Sequence, residues 1–171
     1  MVPGVPTLTH RLLGADDPED VRILQALHAA APGYSRIVHG REPGGREALE
    51  TLNGLPPGKT PADKFVLGFF LGPDLIGCAD LIRGYPTPEH AYIGLLLFSE
   101  NQQNRGFGPK ALAQIALVAA RWGCPWIRLA VIATNTRAHA FWRRQGFREV
   151  FRKVIPDVTG EAIVMQRPTS S

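Results

Sequence analysis

Gln103-Asn104-Arg105-Gly106-Phe107-Gly108 follows an apolar strand, Ile93-Gly94-Leu95-Leu96-Leu97-Phe98, and leads into an apolar helix, Ala111 to Trp122. Strand, glycine-rich turn and helix in that order make an anion site. Backbone N–H groups in such a turn have no place in the helix ladder, they point outward together, and the helix dipole adds partial positive charge. Glycine allows the sharp turn and lets an anion approach with no Cβ in the way. Two commoner nucleotide motifs are absent. Lys110 is not followed by Ser or Thr, so there is no G-x-x-x-x-G-K-[ST], and Ala111 stands where the third glycine of G-x-G-x-x-G belongs. An ordinary strand-to-helix turn would look the same, so a second signal is needed.

That signal follows the strand Trp126 to Ala133. It reads Asn135-Thr136-Arg137-Ala138-His139-Ala140-Phe141-Trp142-Arg143-Arg144-Gln145-Gly146-Phe147. Asn135 can cap a helix, Ala138, Phe141, Trp142 and Gln145 fall near one helical face, and Gly146 is a natural stop. The pattern N-x-x-A-x-x-F-[YW]-x-x-x-G-F, about thirty residues after Q-x-x-G-x-G, resembles the GNAT superfamily of acyl-coenzyme A N-acyltransferases. The resemblance is good over residues 65 to 155 and rests on element order alone in the N-terminal third.

Composition sets bounds around these motifs. A chain of 171 residues that is 44% hydrophobic suits one domain with one core. No apolar run approaches the ~20 residues needed to cross a membrane. Met1-Val2-Pro3-Gly4 lacks the charged and apolar regions of a signal peptide, and a cytoplasmic protein is expected. Cys78 and Cys124 could pair, although buried free thiols fit a cytosolic chain better. The five histidines are scattered, with no metal-ligand spacing, so no metal is expected. Net charge is +4, carried mainly by the C-terminal half from Arg121 to Lys153. A basic face can attract nucleic acid or a cofactor bearing several phosphates. No basic recognition helix or aromatic-interleaved basic strand supports nucleic acid.

Along the chain, Leu8 to Leu13 reads as a short strand. Asp16-Asp17-Pro18-Glu19 starts a helix that runs to about Ala31, where Pro32-Gly33 ends it. Gly40 to Gly45 is a loop, Arg46 to Leu52 suits a second short helix, and Gly54 to Lys59 is irregular. Strands follow at Phe65 to Leu71 and Leu75 to Arg83, joined by the turn Gly72-Pro73-Asp74, then at Ala91 to Phe98. The last of these is apolar on both faces and should be central. Helix 108–122, strand 126–133, helix 135–145 and strands 147–155 and 161–166 complete the order β-α-α-β-β-β-α-β-α-β-β, which is similar to that of GNAT proteins. One domain is expected over residues 1–167, and the tail 168–171 is expected to be disordered.

The resemblance implies an α/β (α+β) fold: a mixed, largely antiparallel, splayed central sheet of six to seven strands with helices on both faces. It implies that acetyl-coenzyme A wedges between strands 91–98 and 126–133, where a β-bulge splays them and the pantetheine arm fills the gap like an added strand. Backbone groups of Leu96 and Phe98 would bond the pantetheine amides, with Leu97 packing beside them, and all three equally suit a plain core. The pyrophosphate would rest on N–H groups from Gln103 through Asn104, Arg105, Gly106 and Phe107 to Gly108. Lys110 and Arg105 would add charge where Pro109 removes a donor. Asn135, Ala138 and Phe141 complete the implied cofactor set. Glu100 stands where the family often has Pro, and is expected to point to water.

Acetyl transfer also needs a base for the amine and a proton for the leaving thiolate. Counting back from Gly106, Tyr92 falls where some relatives carry a catalytic Glu; a free phenol titrates near 10 and is a poor base, so Tyr92 is expected to orient the acceptor or a water. His90 and Glu89 are nearby and titrate more usefully. Trp142 stands where many relatives have a Tyr acid, and an indole N–H only donates a hydrogen bond; solvent or Tyr85 would have to serve. The resemblance thus implies direct acetyl transfer to a primary amine of a small molecule or peptide, by a monomer or homodimer, with no nucleic acid and no membrane. A non-catalytic coenzyme A-binding sensor is the rival. The acceptor-side loops, 30–64 and 84–90, carry no pattern that names the amine.

Overall fold

The computed structural model describes residues 7–170; the first residues and Ser171 lie outside it, and with them the expectation about Met1 to Gly4. Seven strands form one sheet in the order β1-β2-β3-β4-β5-β7-β6. They are β1 (Leu8–Leu13), β2 (Lys64–Leu71), β3 (Asp74–Arg83), β4 (His90–Phe98), β5 (Trp126–Ile132), β6 (Arg148–Val154) and β7 (Glu161–Pro168). All pairings are antiparallel except β4 with β5. Among the described residues five helices cover it: α1 (Pro18–Ala29), α2 (Pro32–His39), α3 (Glu47–Asn53), α4 (Phe107–Arg121) and α5 (Thr136–Arg144).

Helix α1 starts as its sequence dictates. The Asp17 side chain accepts the N–H of Glu19 at 2.9 Å, and Pro18 occupies the first turn. Asp20 is buried, accepting from Arg11 at 2.8 Å and from the Gly14 N–H at 3.0 Å, which ties β1 to α1. One helix was expected to run to about residue 31 and stop at Pro32-Gly33. The structure breaks it sooner and starts α2 at Pro32. Proline lacks only a donor that a first turn leaves unused, so Pro32 begins a helix as readily as it ends one. Gly40, at φ 69°, closes α2 in the left-handed region. Glu100 is exposed, in keeping with the expectation that it points to water, and its Oε1 also accepts the Gly33 N–H at 2.9 Å, in the first turn of α2.

Strand alternation sorts the core into two faces. On one, Leu24 and Leu27 of α1 and Ala48 and Leu52 of α3 meet Val66, Phe70, Cys78 and Leu97. On the other, Ala111, Leu112, Ile115 and Ala119 of α4 meet Leu67, Phe69, Ala79, Leu81, Ala91 and Ile93. Full burial of each such aliphatic side chain stabilises by about 1.5–3 kcal/mol. Val38 of α2 packs on Ile132 and Ala162. Both cysteines are free and buried. The tail expected to be disordered from residue 168 is ordered at its start: Pro168 closes β7, and buried Thr169 donates its N–H to Pro125 O at 2.8 Å and its hydroxyl to Cys124 O at 2.6 Å.

Candidate active site

The central pairing of the sheet is incomplete. β4 and β5 run parallel only from His90 opposite Trp126 to Ile93 opposite Leu129. Beyond that point β4 stays with β3 and β5 stays with β7, so the two part. A register shift in β3–β4 sets the parting. Asp80 faces Leu95 and Leu81 faces Ile93, leaving Gly94 as the extra residue of a bulge. Ser99 donates its N–H to Ile76 O of β3 at 3.0 Å. By alternation the backbone groups of Leu97 face β3, while those of Leu96 and Phe98 face the opening. The Phe98 carbonyl already accepts Gln103 Nε2 at 2.9 Å. Leu96 therefore presents both its backbone groups to the opening, and Phe98 its N–H.

The glycine turn lies at the far end of β4. Asn104 (φ 62°) and Gly106 (φ 83°) both occupy the left-handed region, and Gly106 is the residue from which α4 starts. Among the described residues, no protein acceptor meets the N–H groups of Asn104, Arg105 or Gly106, and those of Phe107 and Gly108 precede the first α4 hydrogen bond. Five donors without a protein partner thus lie at the positive end of a 15-residue helix. Gln103, expected among them, is engaged elsewhere. Its N–H bonds Glu100 O at 3.3 Å and its side chain holds Phe98. Pro109 contributes none. Lys110 lines a groove of about 480 Å³ with Thr7, Leu8, His10 and Phe69, its Nζ 6.0 Å from the centre of the Phe107 ring. Gly108 joins the two sequence motifs. A Cβ there would lie 3.0 Å from the Phe141 ring, so α4 and α5 approach closely at that point. Asn135 caps α5, its Oδ1 accepting the Ala138 N–H at 3.3 Å.

On the α1–α3 face, beside the bulge, lies a cavity of about 200 Å³ walled by Glu50, Gly54, Leu55, Lys64, Asp80, Tyr92 and Gly94, among others. Tyr92 is one of its walls. Its ring meets Tyr85 edge-on at 5.1 Å. Burial, with the Tyr85 phenol adding to it and the Arg128 guanidinium opposing, pushes the Tyr92 phenol up to about 12. His90 does not line the cavity. It is buried at the start of β4, its Nδ1 2.7 Å from Thr87 Oγ1, and burial together with the Arg128 guanidinium holds its pKa below the ordinary imidazole value. Trp142 is buried between Phe141 and Phe147, at ring separations of 5.0 and 5.1 Å, and works as core.

Lys64 and Asp80 were not anticipated. Lys64 Nζ lies 2.8 Å from Asp80 Oδ1 and donates to Gly54 O at 2.6 Å; the two side chains are only 7% and 15% exposed. The donor angle at Oδ1 is poor, and that buried oxygen has charge compensation without an aligned hydrogen bond. One sequence signal existed. Asp80 and Gly94 each interrupt an otherwise apolar strand, and an acid in such a run is rarely buried without a partner.

Solved structures share this architecture. An acetyltransferase from Thermus thermophilus is 28% identical, with a TM-score of 0.77 over 95% of this chain and 99% of that one. Spermidine N-acetyltransferase from Vibrio cholerae, solved in complex with CoA and spermine, is 18% identical with a TM-score of 0.70, covering 95% and 96% of the two chains. The ribosomal-protein-S18-alanine N-acetyltransferase from Escherichia coli is 16% identical with a TM-score of 0.66, covering 96% of each. The last two are similar in fold alone. Residues 27–147 match the model of the acetyltransferase (GNAT) family. That match spans most of the chain and contains the parted strands, the glycine turn and the capped helix α5, so this protein belongs to the GNAT family and is an acetyltransferase.

Proposed function

We propose that the protein transfers an acetyl group from acetyl-coenzyme A to a primary amine, by direct attack within a ternary complex. One observation carries the reading: the parting of β4 from β5 beyond Ile93 and Leu129 is followed, at the end of β4, by five N–H donors without a protein partner among the described residues, from Asn104 to Gly108. A strand-like arm ending in a pyrophosphate needs that pair, an unpaired strand edge and then an anion cradle. The free Leu96 groups and the Phe98 N–H suit the amides of the arm. Leu97 packs behind them in the core. Arg105 adds exposed positive charge at the turn. Asn135, Ala138 and Phe141 form the opposite wall by capping and packing α5 against α4.

The acetyl carbonyl would lie at the bulge, beside the Leu96 N–H, where a fixed donor can polarise it. The amine would enter through the cavity beside Tyr92. A phenol held near 12 stays protonated at neutral pH, so Tyr92 orients the acceptor by donating or accepting one hydrogen bond. The compared enzymes are named for spermidine and for an alanine of ribosomal protein S18, both amine acceptors, and a primary amine is the acceptor class proposed here. Calorimetry with acetyl-coenzyme A, followed by free-thiol detection over a panel of amines, tests the reading. Micromolar binding and amine-dependent thiol release are expected. No heat and no thermal shift at millimolar ligand would refute it.

A further inference from the structure

The cavity beside the bulge holds one carboxylate whose placement the fold does not explain. Asp80 sits in the middle of β3, between Val66 of β2 and Leu95 of β4, in a run otherwise apolar from Leu75 to Ile82. On one side Lys64 holds Oδ1 from 2.8 Å, and Lys64 is itself anchored on Gly54 O. On the other side Oδ2 has no hydrogen-bond partner among the described residues. It faces Gly94, where a Cβ would lie only 2.8 Å away. Any other residue at the bulge would cover the carboxylate. Glycine leaves it open to the cavity, one register position from Leu96.

We propose that Asp80 is the catalytic base of this enzyme: Oδ2 receives the acceptor as an alkylammonium ion and takes its proton, with Lys64 fixing the carboxylate. The inference rests on the reading of the protein as an amine acetyltransferase with its thioester at the bulge. The balance is complete. One ammonium proton passes to Asp80, the freed nitrogen lone pair forms the C–N bond, and the C–S bond breaks. The nitrogen's second proton passes through solvent to the thiolate, and Asp80 returns its own proton to water. Burial pushes the Asp80 carboxyl above the usual range, the Lys64 ammonium working against it, and a raised carboxyl is the better matched base. The other titratable groups facing this position are Tyr34 on α2, Glu50 on α3, Tyr92 on β4 and Cys78 on β3 itself. Burial holds Tyr34 and Tyr92 at about 12 and raises Cys78, so these three stay neutral across the working range.

The test compares wild type with Asp80→Asn, which keeps the shape and removes the proton acceptor. Acetyl-coenzyme A affinity, melting temperature and the pH profile of kcat are measured with the best amine of a panel of alkylamines, polyamines and short peptides. Expected are unchanged cofactor affinity and a kcat lower by roughly 10²–10⁴-fold at neutral pH, the usual worth of general base catalysis. The loss should shrink as pH rises toward the pKa of the amine, because the acceptor then arrives already deprotonated. If Asp80→Asn alone does not fold, Asp80→Asn with Lys64→Met removes the stranded cation and carries the same expectation. A kcat within about fivefold of wild type, or a loss equal at every pH, would overturn the assignment. Wild type that binds the cofactor and acetylates no amine would overturn the proposed function beneath it, and this inference with it.

Discussion

Substitution at Gly106 separates the strain of the turn from the charge it cradles. At φ 83° an L residue is strained by roughly 1–2 kcal/mol, yet an added Cβ meets nothing within 4 Å. Gly106→Ala should therefore lower the melting temperature by about 2–8 °C, given the roughly 2–4 °C per kcal/mol of a chain this size. Gly106→Glu suffers the same backbone strain, and its Cβ likewise meets nothing. It adds a carboxylate beside the five N–H donors. At about 5 Å from a phosphate, with an effective dielectric of about 20, like charges repel by about 3 kcal/mol. Affinity for coenzyme A should thus fall about 100-fold below that of Gly106→Ala, while both variants melt alike. Calorimetry and thermal denaturation of the pair give the two readings. Equal affinities in the two variants would refute the reasoning, because the phosphates would then bind elsewhere.

Tyr92→Phe should lower kcat by less than about tenfold and leave the ascending limb of the pH profile in place; a loss beyond about a thousandfold with cofactor affinity intact would make the phenol the base. Lys64→Met strands the Asp80 carboxylate and should cost about 3 kcal/mol, near the low end for a broken buried pair. Protonation relieves a stranded carboxylate, so that cost should be smaller at pH 5 than at pH 8 in urea melts, with a pH-independent cost counting against it. Burial of Glu47 works to raise its pKa, but hydrogen bonds from Gln25 and the Gly44 and Gly45 N–H groups outweigh it and hold the carboxyl at about 2. The folded value is below the ordinary ~4.3, so this contribution is complete above about pH 4.3 and fades as pH falls toward 2. Glu47→Gln should accordingly destabilise at pH 6 and lose that effect near pH 2 in denaturant titrations; an equal effect at both would refute the linkage.

Local signals were legible where local chemistry decides. The caps at Asp17 and Asn135, the left-handed Gly106 with the turn around it and the apolar run of β4 depend on residues within a few positions of one another. Helix α2 escaped because Pro32 serves equally as the end of one helix and the start of the next, and the choice was made by distant contacts. Glu100 meets the Gly33 N–H in its first turn, and Val38 finds Ile132 and Ala162. In sequence His90 and Tyr92 are close neighbours, Tyr92 expected to orient the acceptor and His90 to titrate more usefully. The fold put Tyr92 at the cavity and gave His90 to Thr87.

By itself the sequence determined the glycine turn, the two motif-bearing helices and the membership of a mixed α/β fold, because turn geometry, capping and hydrophobic period are short-range properties. Only the tertiary structure decided where the sheet opens and what faces the opening. The bulge at Gly94 exists as a register difference between β3 and β4, and no single strand contains a register. Asp80 and Lys64, far apart in sequence, became one ion pair because β2 and β3 are neighbours in the sheet, and Gly94 uncovers the carboxylate because β4 lies on its other side. Such a site is made of cross-strand contacts, and those follow from the packing of the whole chain.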